Sequence, residues 1–298
     1  MHSSPITYID PLFRPPSEAY SFILQITNGC SWNKCTYCDM YTQSQKKFSV
    51  KPEEDVFREI EWAGKHLRNV RRVFLADGDA ISLSTRRLLA ILGKIREHLP
   101  EVTRVSSYCS PRNVSGKSSE DLKALHEAGL GLVYVGAESG DDHILTCINK
   151  GDTHQSAVDS LNRLADAGIK RSVMLINGVG GYRFSEQHAL HSALLANKTQ
   201  PEYLASLVIN LPNGDARFQA GFDGQFERMN QQGLFREIRM LIGALELNST
   251  IFRSDHASNQ LVLRGVLGKD KEKMLAQIDQ AIERPQEAHL RPVWERPF

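Results

Sequence analysis

The sequence predicts an α/β fold with a parallel sheet, because short segments rich in β-branched residues alternate with longer segments of helical spacing. The strand-like segments carry few charges, which is expected where helices cover both faces of a sheet. Six of them lie before residue 215, at 22–27, 72–76, 103–108, 132–135, 170–176 and 204–211. A closed barrel needs eight strand–helix units, so six units fit either an incomplete barrel or a doubly wound sheet.

The segments between the strands have the apolar spacing of amphipathic helices. Three stripes are formed by Val56, Ile60, Ala63 and Leu67, by Leu88, Leu92 and Ile95, and by Val158, Leu161 and Leu164. Pro52 and three acidic residues open the first of these helices, and Thr153 can cap the third. Gly129 and Gly168 each end a helical segment just before a strand, where a left-handed C-cap is expected.

The pattern changes after Pro212, where a turn is followed by a predicted loop at 220–224. Beyond it we predict a long helix, one more strand and a closing amphipathic helix, at 226–245, 260–266 and 270–282. The chain is therefore divided into a main domain over residues 1–215 and an extension over residues 216–298 that packs on the sheet.

Composition and charge exclude several classes of protein. The chain has 298 residues and is 41% apolar, so a sizeable core is expected and global disorder is excluded. With 36 Lys and Arg against 35 Asp and Glu, the net charge of +1 gives no strong nucleic-acid signal and no attraction to an anionic membrane. One local set of basic residues is expected to lie on a solvent-exposed face of the protein: Lys46, Lys47, Arg68, Arg71 and Arg72.

The targeting features and the cysteine content predict a cytoplasmic protein. No apolar run reaches the roughly 18 residues that a membrane-spanning helix needs. The N-terminus has neither the basic start nor the apolar segment of a signal peptide. The five cysteines are an odd set, and three of them crowd into nine residues, which is a poor disulfide framework and suits a reducing compartment.

Cys30, Cys35 and Cys38 are the clearest chemical signal in the sequence. They follow the first predicted strand directly, and loops after the carboxyl ends of strands bind ligands in α/β sheets. Structural zinc takes four ligands and cubane clusters usually take four cysteines, so a fourth ligand would have to be Asp39, His66 or a distant histidine. Three thiolates alone leave one metal position open, which indicates chemistry rather than a structural role.

The cysteine segment resembles that of the radical S-adenosylmethionine (radical SAM) enzymes. It reads Asn-Gly-Cys-Ser-Trp-Asn-Lys-Cys-Thr-Tyr-Cys, and Cys35-Thr36-Tyr37-Cys38 matches the family's Cys-x-aromatic-Cys. Four residues separate Cys30 from Cys35, where three are commonest in the family. The segment is similar to the branch that contains anaerobic coproporphyrinogen oxidase and the methylthiotransferases.

Later segments resemble the strand-end motifs of the same family. Glu138 stands at the place of a polar residue that contacts SAM, and Lys150 at the place of a basic residue that holds its methionyl carboxylate. Residues 76–80 and 177–181 are similar to the glycine motifs after the second and fifth strands. The resemblance covers roughly residues 20–215 and implies SAM contacts at Tyr37, Gly78, Asp79, Tyr108, Glu138, Lys150 and Leu211.

The resemblance implies that residues 1–215 form an incomplete (β/α)6 barrel of the TIM type. It also implies one [4Fe-4S] cluster, held by Cys30, Cys35 and Cys38, with SAM on the open iron. In the family, the reduced cluster cleaves SAM to methionine and a 5′-deoxyadenosyl radical, which abstracts hydrogen from a substrate. The implied partners are a reductant such as flavodoxin or ferredoxin and a substrate that the sequence does not identify.

The extension is predicted to be a lid or a substrate-binding segment, because a radical site needs cover from water. Its polar stretch 252–259 contains three candidate substrate contacts, Arg253, Asp255 and His256. The alternative for that stretch is a structural loop.

Two other functions of the cysteine segment stay open at this point. One is a zinc-stabilised binding protein with a structural cysteine loop, and the other is a simple electron carrier. The alternative role of Glu138 is to cap the following helix, and Lys150 could be an ordinary surface lysine.

Overall fold

The computed structural model describes residues 4–295 of the chain. The strands in that range are β1 (Phe22–Gln25), β2 (Thr27–Asn28), β3 (Ser49–Val50), β4 (Arg72–Ala76), β5 (Arg104–Cys109), β6 (Leu130–Glu138), β7 (Lys170–Asn177), β8 (Tyr203–Val208), β9 (Ile251–Arg253) and β10 (Arg264–Val266). The α-helices in that range are α1 (Glu53–His66), α2 (Thr85–His98), α3 (Pro111–Ser115), α4 (Ser119–Glu127), α5 (Asp142–Cys147), α6 (His154–Asp166), α7 (Gly181–Thr199), α8 (Ala216–Gly221), α9 (Gln231–Ala244) and α10 (Lys271–Glu283).

The chain divides into two compact units. The first contains the described residues up to Asn33, together with Met40–Val135 and Asn162–Arg171. The second contains Lys34–Asp39, Gly136–Leu161 and the described residues from Ser172 onward. The predicted boundary at residue 215 separates a main domain from an extension, whereas these units group residues by compactness. The boundary therefore stays a prediction.

The main sheet is mostly parallel, with the strand order β1-β4-β5-β6-β7-β8-β9-β10. In the first unit, β1, β4, β5 and β6 pair in parallel, with Leu24 opposite Leu75. In the second unit, β7, β8 and β9 are parallel, and β10 joins β9 in the antiparallel direction. These pairings confirm the predicted α/β fold with a parallel sheet.

Most of the predicted strands lie close to their predicted positions. β4, β5 and β7 agree with the sequence within one residue at each end, whereas β6 is longer and β8 is shorter. The first predicted strand is divided in two, because β1 ends at Gln25 and β2 pairs with β3 in a separate antiparallel sheet. Ile26 lies between β1 and β2. Its amide donates to the Ala76 carbonyl of β4, and its carbonyl accepts a hydrogen bond from the Lys51 amide just after β3.

The extension contributes two strands to the sheet, β9 and β10, of which the sequence predicted only the second. The polar stretch 252–259 begins inside β9, because its first two residues pair with β8. The strand predicted at 260–266 is reduced to β10, and the loop predicted at 220–224 begins inside α8. The predicted long helix and closing helix correspond to α9 and α10.

Each unit has its own apolar core. In the first unit, Ile60 of α1, Leu92 of α2 and Phe74 of β4 are almost completely buried. In the second unit, one buried cluster consists of Ile144, Leu145, Ile148, Ile176, Val179, Leu211, Phe218, Phe222 and Phe226. Full burial of such a side chain contributes about 1.5–3 kcal/mol, so this cluster fixes α5 and α8 firmly.

The helix ends follow the signals in the sequence. Acidic residues fill the first turn of α1, and the side chain of Ser84 accepts a hydrogen bond from the Arg87 amide at the start of α2. Gly129 and Gly168 have φ of +115° and +83°, as expected for left-handed C-caps. No helix within residues 4–295 is long and apolar enough to cross a membrane.

Candidate active site

The cysteine loop, defined as residues 29–39, lies between β2 and β3 and carries three thiols. Cys30, Cys35 and Cys38 are all thiols outside any disulfide, and all are partly buried. The Cys38 amide donates to the Cys35 carbonyl at 3.3 Å, so these two cysteines share one turn of the backbone. The Thr36 amide donates to the Ile148 carbonyl at 3.0 Å, which ties this turn to the end of α5.

The start of the cysteine loop is held by two carboxylates that follow β4. The Gly29 amide donates to Asp77 at 3.3 Å, and the Ser31 amide and hydroxyl donate to Asp79. Gly29 has φ of +69°, and a Cβ at this position would overlap with the Lys46 carbonyl, so only glycine fits. The predicted SAM contact Asp79 is thus a residue that holds the loop backbone.

Asp77 is the centre of a buried network that the sequence did not indicate. Its carboxylate is fully buried and forms an ion pair with Lys46, which is fully buried as well. Tyr41 donates its hydroxyl to Asp77 at 3.1 Å, and Gly78 is needed because a Cβ there would lie 2.5 Å from the Tyr41 ring. The prediction that Lys46 is part of a solvated basic face is therefore wrong.

In the second unit, Glu138 and Lys150 form a buried ion pair. The Lys150 Nζ lies 3.4 Å from the Glu138 Oε1, and the two residues are 8% and 9% exposed. Glu138 ends β6 with φ of +64°, and a Cβ on Gly136 would overlap with its carboxylate. Lys150 is therefore not the ordinary surface lysine of the alternative interpretation.

Tyr37 links this ion pair to the cysteine turn. Burial raises the pKa of Tyr37 well above its ordinary value, and the charges of Glu138, Cys35 and Cys38 raise it further. Four of the predicted site residues are thus brought close together in one unit: Tyr37, Glu138, Cys35 and Cys38. The phenol keeps its proton at neutral pH and can serve as a hydrogen-bond donor.

The other two predicted SAM contacts are part of packed apolar surfaces. Tyr108 on β5 packs edge-on against Phe74 with 5.2 Å between ring centroids, and burial raises its pKa. Leu211 is buried in the apolar cluster of the second unit, against which Tyr37 also packs. Tyr108 is the last residue but one of β5 and Leu211 follows β8, so both lie near strand ends, as the family resemblance implies.

The three candidate substrate contacts follow the short strand β9. Asp255 pairs with Arg253 at 3.4 Å and with Arg264 at 3.1 Å. His256 Nδ1 lies 2.9 Å from the Ser258 hydroxyl, and burial lowers the pKa of the imidazole. Because β9 is parallel to β8, the segment leaves the sheet at the carboxyl end of its strands.

A second buried acid–base pair, Glu237 and His188, contacts the glycine motif at 177–181. The Glu237 side chain on α9 accepts a hydrogen bond from the Gly178 amide at 2.5 Å and lies 3.8 Å from His188 Nε2. Burial raises the pKa of Glu237 to about 7 and lowers the pKa of His188 to about 4. Sequence reasoning missed both, because one acid in a helix gives no sign that it faces a strand end far away in the chain.

The donor set of the cysteine loop fits an iron–sulfur cluster. Three thiols occur within nine residues, on a loop whose start is bonded to Asp77 and Asp79 and whose Cys35–Cys38 turn is bonded to Ile148. Within the described residues, no three His, Cys, Asp or Glu side chains are close enough to share one metal ion. A [4Fe-4S] cluster does not require such a group, because each cysteine of a cubane binds a different iron.

Fold and site together define an α/β protein with a cysteine-rich loop at the strand ends, which is the arrangement of a metal-cofactor enzyme. The model of the Radical SAM superfamily matches residues 24–195, more than half of the chain. The chain therefore belongs to the radical SAM superfamily. Membership implies a [4Fe-4S] cluster and SAM as cofactors.

Curated relatives match only part of this chain and part of their own length. Heme chaperone HemW of Bacillus subtilis is 25% identical over 167 residues, which are 54% of this chain and 44% of that protein. A putative methylthiotransferase of Methanocaldococcus jannaschii is 25% identical over 153 residues, 49% of this chain and 33% of that protein. The chain spans less than half the length of these relatives. The predicted resemblance to these branches is confirmed.

Solved structures show the same fold at low sequence identity. Coproporphyrinogen III oxidase (HemN) from Escherichia coli superposes with a TM-score of 0.56 at 15% identity, over 75% of this chain and 51% of that one. The cobalamin-dependent SAM radical enzyme OxsB superposes with a TM-score of 0.51 at 16% identity, over 90% of this chain and 36% of that one. These superpositions confirm a partial barrel of the radical SAM type with a C-terminal extension.

We expect Glu237→Gln to change how stability depends on pH. The folded pKa of about 7 exceeds the ordinary 4.5, so between these values the unfolded chain ionises this carboxyl while the folded chain keeps it protonated. Raising the pH through this window therefore lowers the free energy of unfolding of the parent relative to Glu237→Gln, by about 3 kcal/mol in total.

Urea denaturation from pH 4.5 to 8 measures this difference. Glu227→Gln is the control, because Glu227 is exposed and its removal should leave the pH profile of the parent unchanged. Parallel profiles for the parent and Glu237→Gln would contradict the assignment.

Proposed function

We propose that Cys30, Cys35 and Cys38 hold one [4Fe-4S] cluster and that SAM binds beside it, at Tyr37, Glu138 and Lys150. The observation that carries this proposal is the hydrogen bond from the Thr36 amide to the Ile148 carbonyl, since it joins the Cys35–Cys38 turn to the segment that bears Lys150, whose ammonium pairs with Glu138 at a strand end. The three cysteines, Glu138 and Lys150 also lie inside the range matched by the family model.

The reaction follows from what these groups supply. A cluster held by the three cysteines would supply the electron for reductive cleavage of SAM, the chemistry by which the superfamily generates a 5′-deoxyadenosyl radical for hydrogen abstraction. The Lys150 ammonium offers a positive charge to a carboxylate, and Glu138 offers acceptors to an ammonium or a hydroxyl. The pair is almost completely buried, so its charges act with little screening by water.

The partners of the reaction are part of the same proposal. A radical SAM enzyme generally needs a reductant, and we propose a flavodoxin or a ferredoxin, which bleaching of the cluster absorbance on mixing would test. All five cysteines are thiols rather than disulfides, which supports a reducing compartment, and we propose the cytoplasm, which cell fractionation would test. The substrate is not identified.

Replacing Cys30, Cys35 and Cys38 together by alanine should abolish iron, acid-labile sulfide and brown absorbance after anaerobic reconstitution, because no thiolate ligand is left. Cys147→Ala is the control, since Cys147 is a partly buried cysteine outside the cysteine loop. Full iron content in the triple variant would refute the ligand assignment. A colourless parent that binds zinc would favour the zinc-stabilised binding protein instead.

Glu138→Gln and Lys150→Gln should each weaken SAM binding by roughly tenfold or more, since a hydrogen bond to a charged group contributes about 1.5–3 kcal/mol. Titration calorimetry on the reconstituted protein measures the affinity. Lys65→Gln removes an exposed lysine and is the control. If both site variants bind SAM as tightly as the parent, these two contacts are wrong.

Arg253 and His256 remain proposed substrate contacts, because they follow a strand end and can bind an anion or exchange a proton. Arg253→Ala and His256→Ala should keep the cluster and the formation of 5′-deoxyadenosine while losing product, both quantified by chromatography once a substrate is found. Arg284→Ala is the control, since its side chain is 57% exposed against 58% for Arg253. Normal product formation in both variants would favour the alternative interpretation, in which residues 252–259 are a structural loop.

A further inference from the structure

Arg217 on α8 binds the cysteine loop from the extension. Its Nε donates to the Thr36 carbonyl at 3.2 Å, and its Nη2 donates to the Cys38 carbonyl at 2.8 Å. The same Nη2 lies 3.0 Å from the Asp39 carboxylate. One guanidinium therefore serves three acceptors in four consecutive residues, and one acceptor belongs to a cysteine that we propose as a cluster ligand.

These contacts differ from those of an ordinary surface ion pair. The Arg217 side chain is 48% exposed, and exposed ion pairs usually contribute little to stability. Two of its three acceptors are backbone carbonyls, however, which stay in place whatever the Asp39 side chain does. A planar guanidinium can reach several fixed acceptors together, whereas the single nitrogen of lysine has no such fork.

The backbone of Arg217 is itself held in place. Its neighbour Phe218 is completely buried in the apolar cluster of the second unit, against which Tyr37 also packs. Gly221 ends α8, and a Cβ there would overlap with the Cys147 carbonyl at the end of α5. The Cys35–Cys38 turn is thus bonded to α8 through Arg217 and to the end of α5 through Thr36.

We propose that Arg217 is a positioning residue that holds the Cys35–Cys38 turn in the shape that binds the cluster. The inference rests on the proposed function, because it assumes that these cysteines are cluster ligands. Arg217 lies outside residues 24–195, so it belongs to this chain's extension and not to the part matched by the family model.

The positive charge of Arg217 has a second consequence. The cluster becomes more negative on reduction, and Asp39 adds a further negative charge to the segment that follows Cys38. A nearby guanidinium stabilises the reduced state and raises the reduction potential. Its removal should therefore make the cluster harder to reduce as well as easier to lose.

The test compares Arg217→Ala and Arg217→Lys with the parent after anaerobic reconstitution. Arg239→Ala is a matched control, because Arg239 lies on the same extension, has a side chain that is also 48% exposed and pairs with a single aspartate, Asp279. The readouts are iron and sulfide content, the rate at which an iron chelator bleaches the cluster, and the reduction potential from a titration followed by electron paramagnetic resonance.

We expect the chelator to bleach Arg217→Ala at least about tenfold faster than the parent, since hydrogen bonds to a charged donor are lost. Its reduction potential should be lower than that of the parent. Arg217→Lys should recover the potential because it keeps the charge, but only part of the cluster retention because it lacks the fork. Arg239→Ala should behave like the parent in all three readouts.

Parent-like bleaching and potential in both Arg217 variants would overturn the inference. If Arg217→Ala does not fold, the test rests on Arg217→Lys. Bleaching of Arg217→Lys at the parent rate would then overturn the inference. The proposed function fails separately, either through iron retention in the triple cysteine variant or through a parent that binds no cluster. The latter result would also overturn the role of Arg217.

Discussion

The first part of the site depends on the burial of the Asp77 carboxylate. A buried charge is stable only when an opposite charge and hydrogen-bond donors surround it. Lys46 supplies the charge, and the Tyr41 hydroxyl and the Gly29 amide supply donors. Gly29 begins the cysteine loop, whereas Tyr41 and Lys46 follow it. Satisfying one carboxylate therefore brings together the chain on both sides of the loop at the end of β4.

The second part of the site repeats this principle with different residues. Glu138 is a buried carboxylate at the end of β6, and it pairs with Lys150, two residues after the Ile148 carbonyl that accepts a hydrogen bond from the Thr36 amide. Thr36 stands between two of the cysteines, so the segment that supplies Lys150 also holds part of the cysteine loop. A strand-end carboxylate in each unit thus fixes its own part of one short loop.

Sequence reasoning reached the features that depend on local spacing. Six parallel strands, the helix caps and the cysteine loop are all visible over a few residues, and the family resemblance pointed to Glu138 and Lys150. It failed at Lys46, where a run of basic residues indicated a solvated face although the ammonium pairs with a buried acid 31 residues away. Arg217 and Glu237 were missed for the same reason, because their partners lie far off in the chain and no local pattern encodes them.

The extension is also more closely involved with the site than its sequence pattern indicated. Arg217 binds the cysteine turn and Glu237 binds the Gly178 amide, so residues of α8 and α9 support two loops that follow strands of the sheet. A segment that holds such loops in place acts as part of their scaffold. The role of lid or substrate-binding segment then falls, in our proposal, to the residues after β9, where Arg253 is exposed and His256 is half-buried. The extension would thus combine support from its first half with substrate recognition from its second.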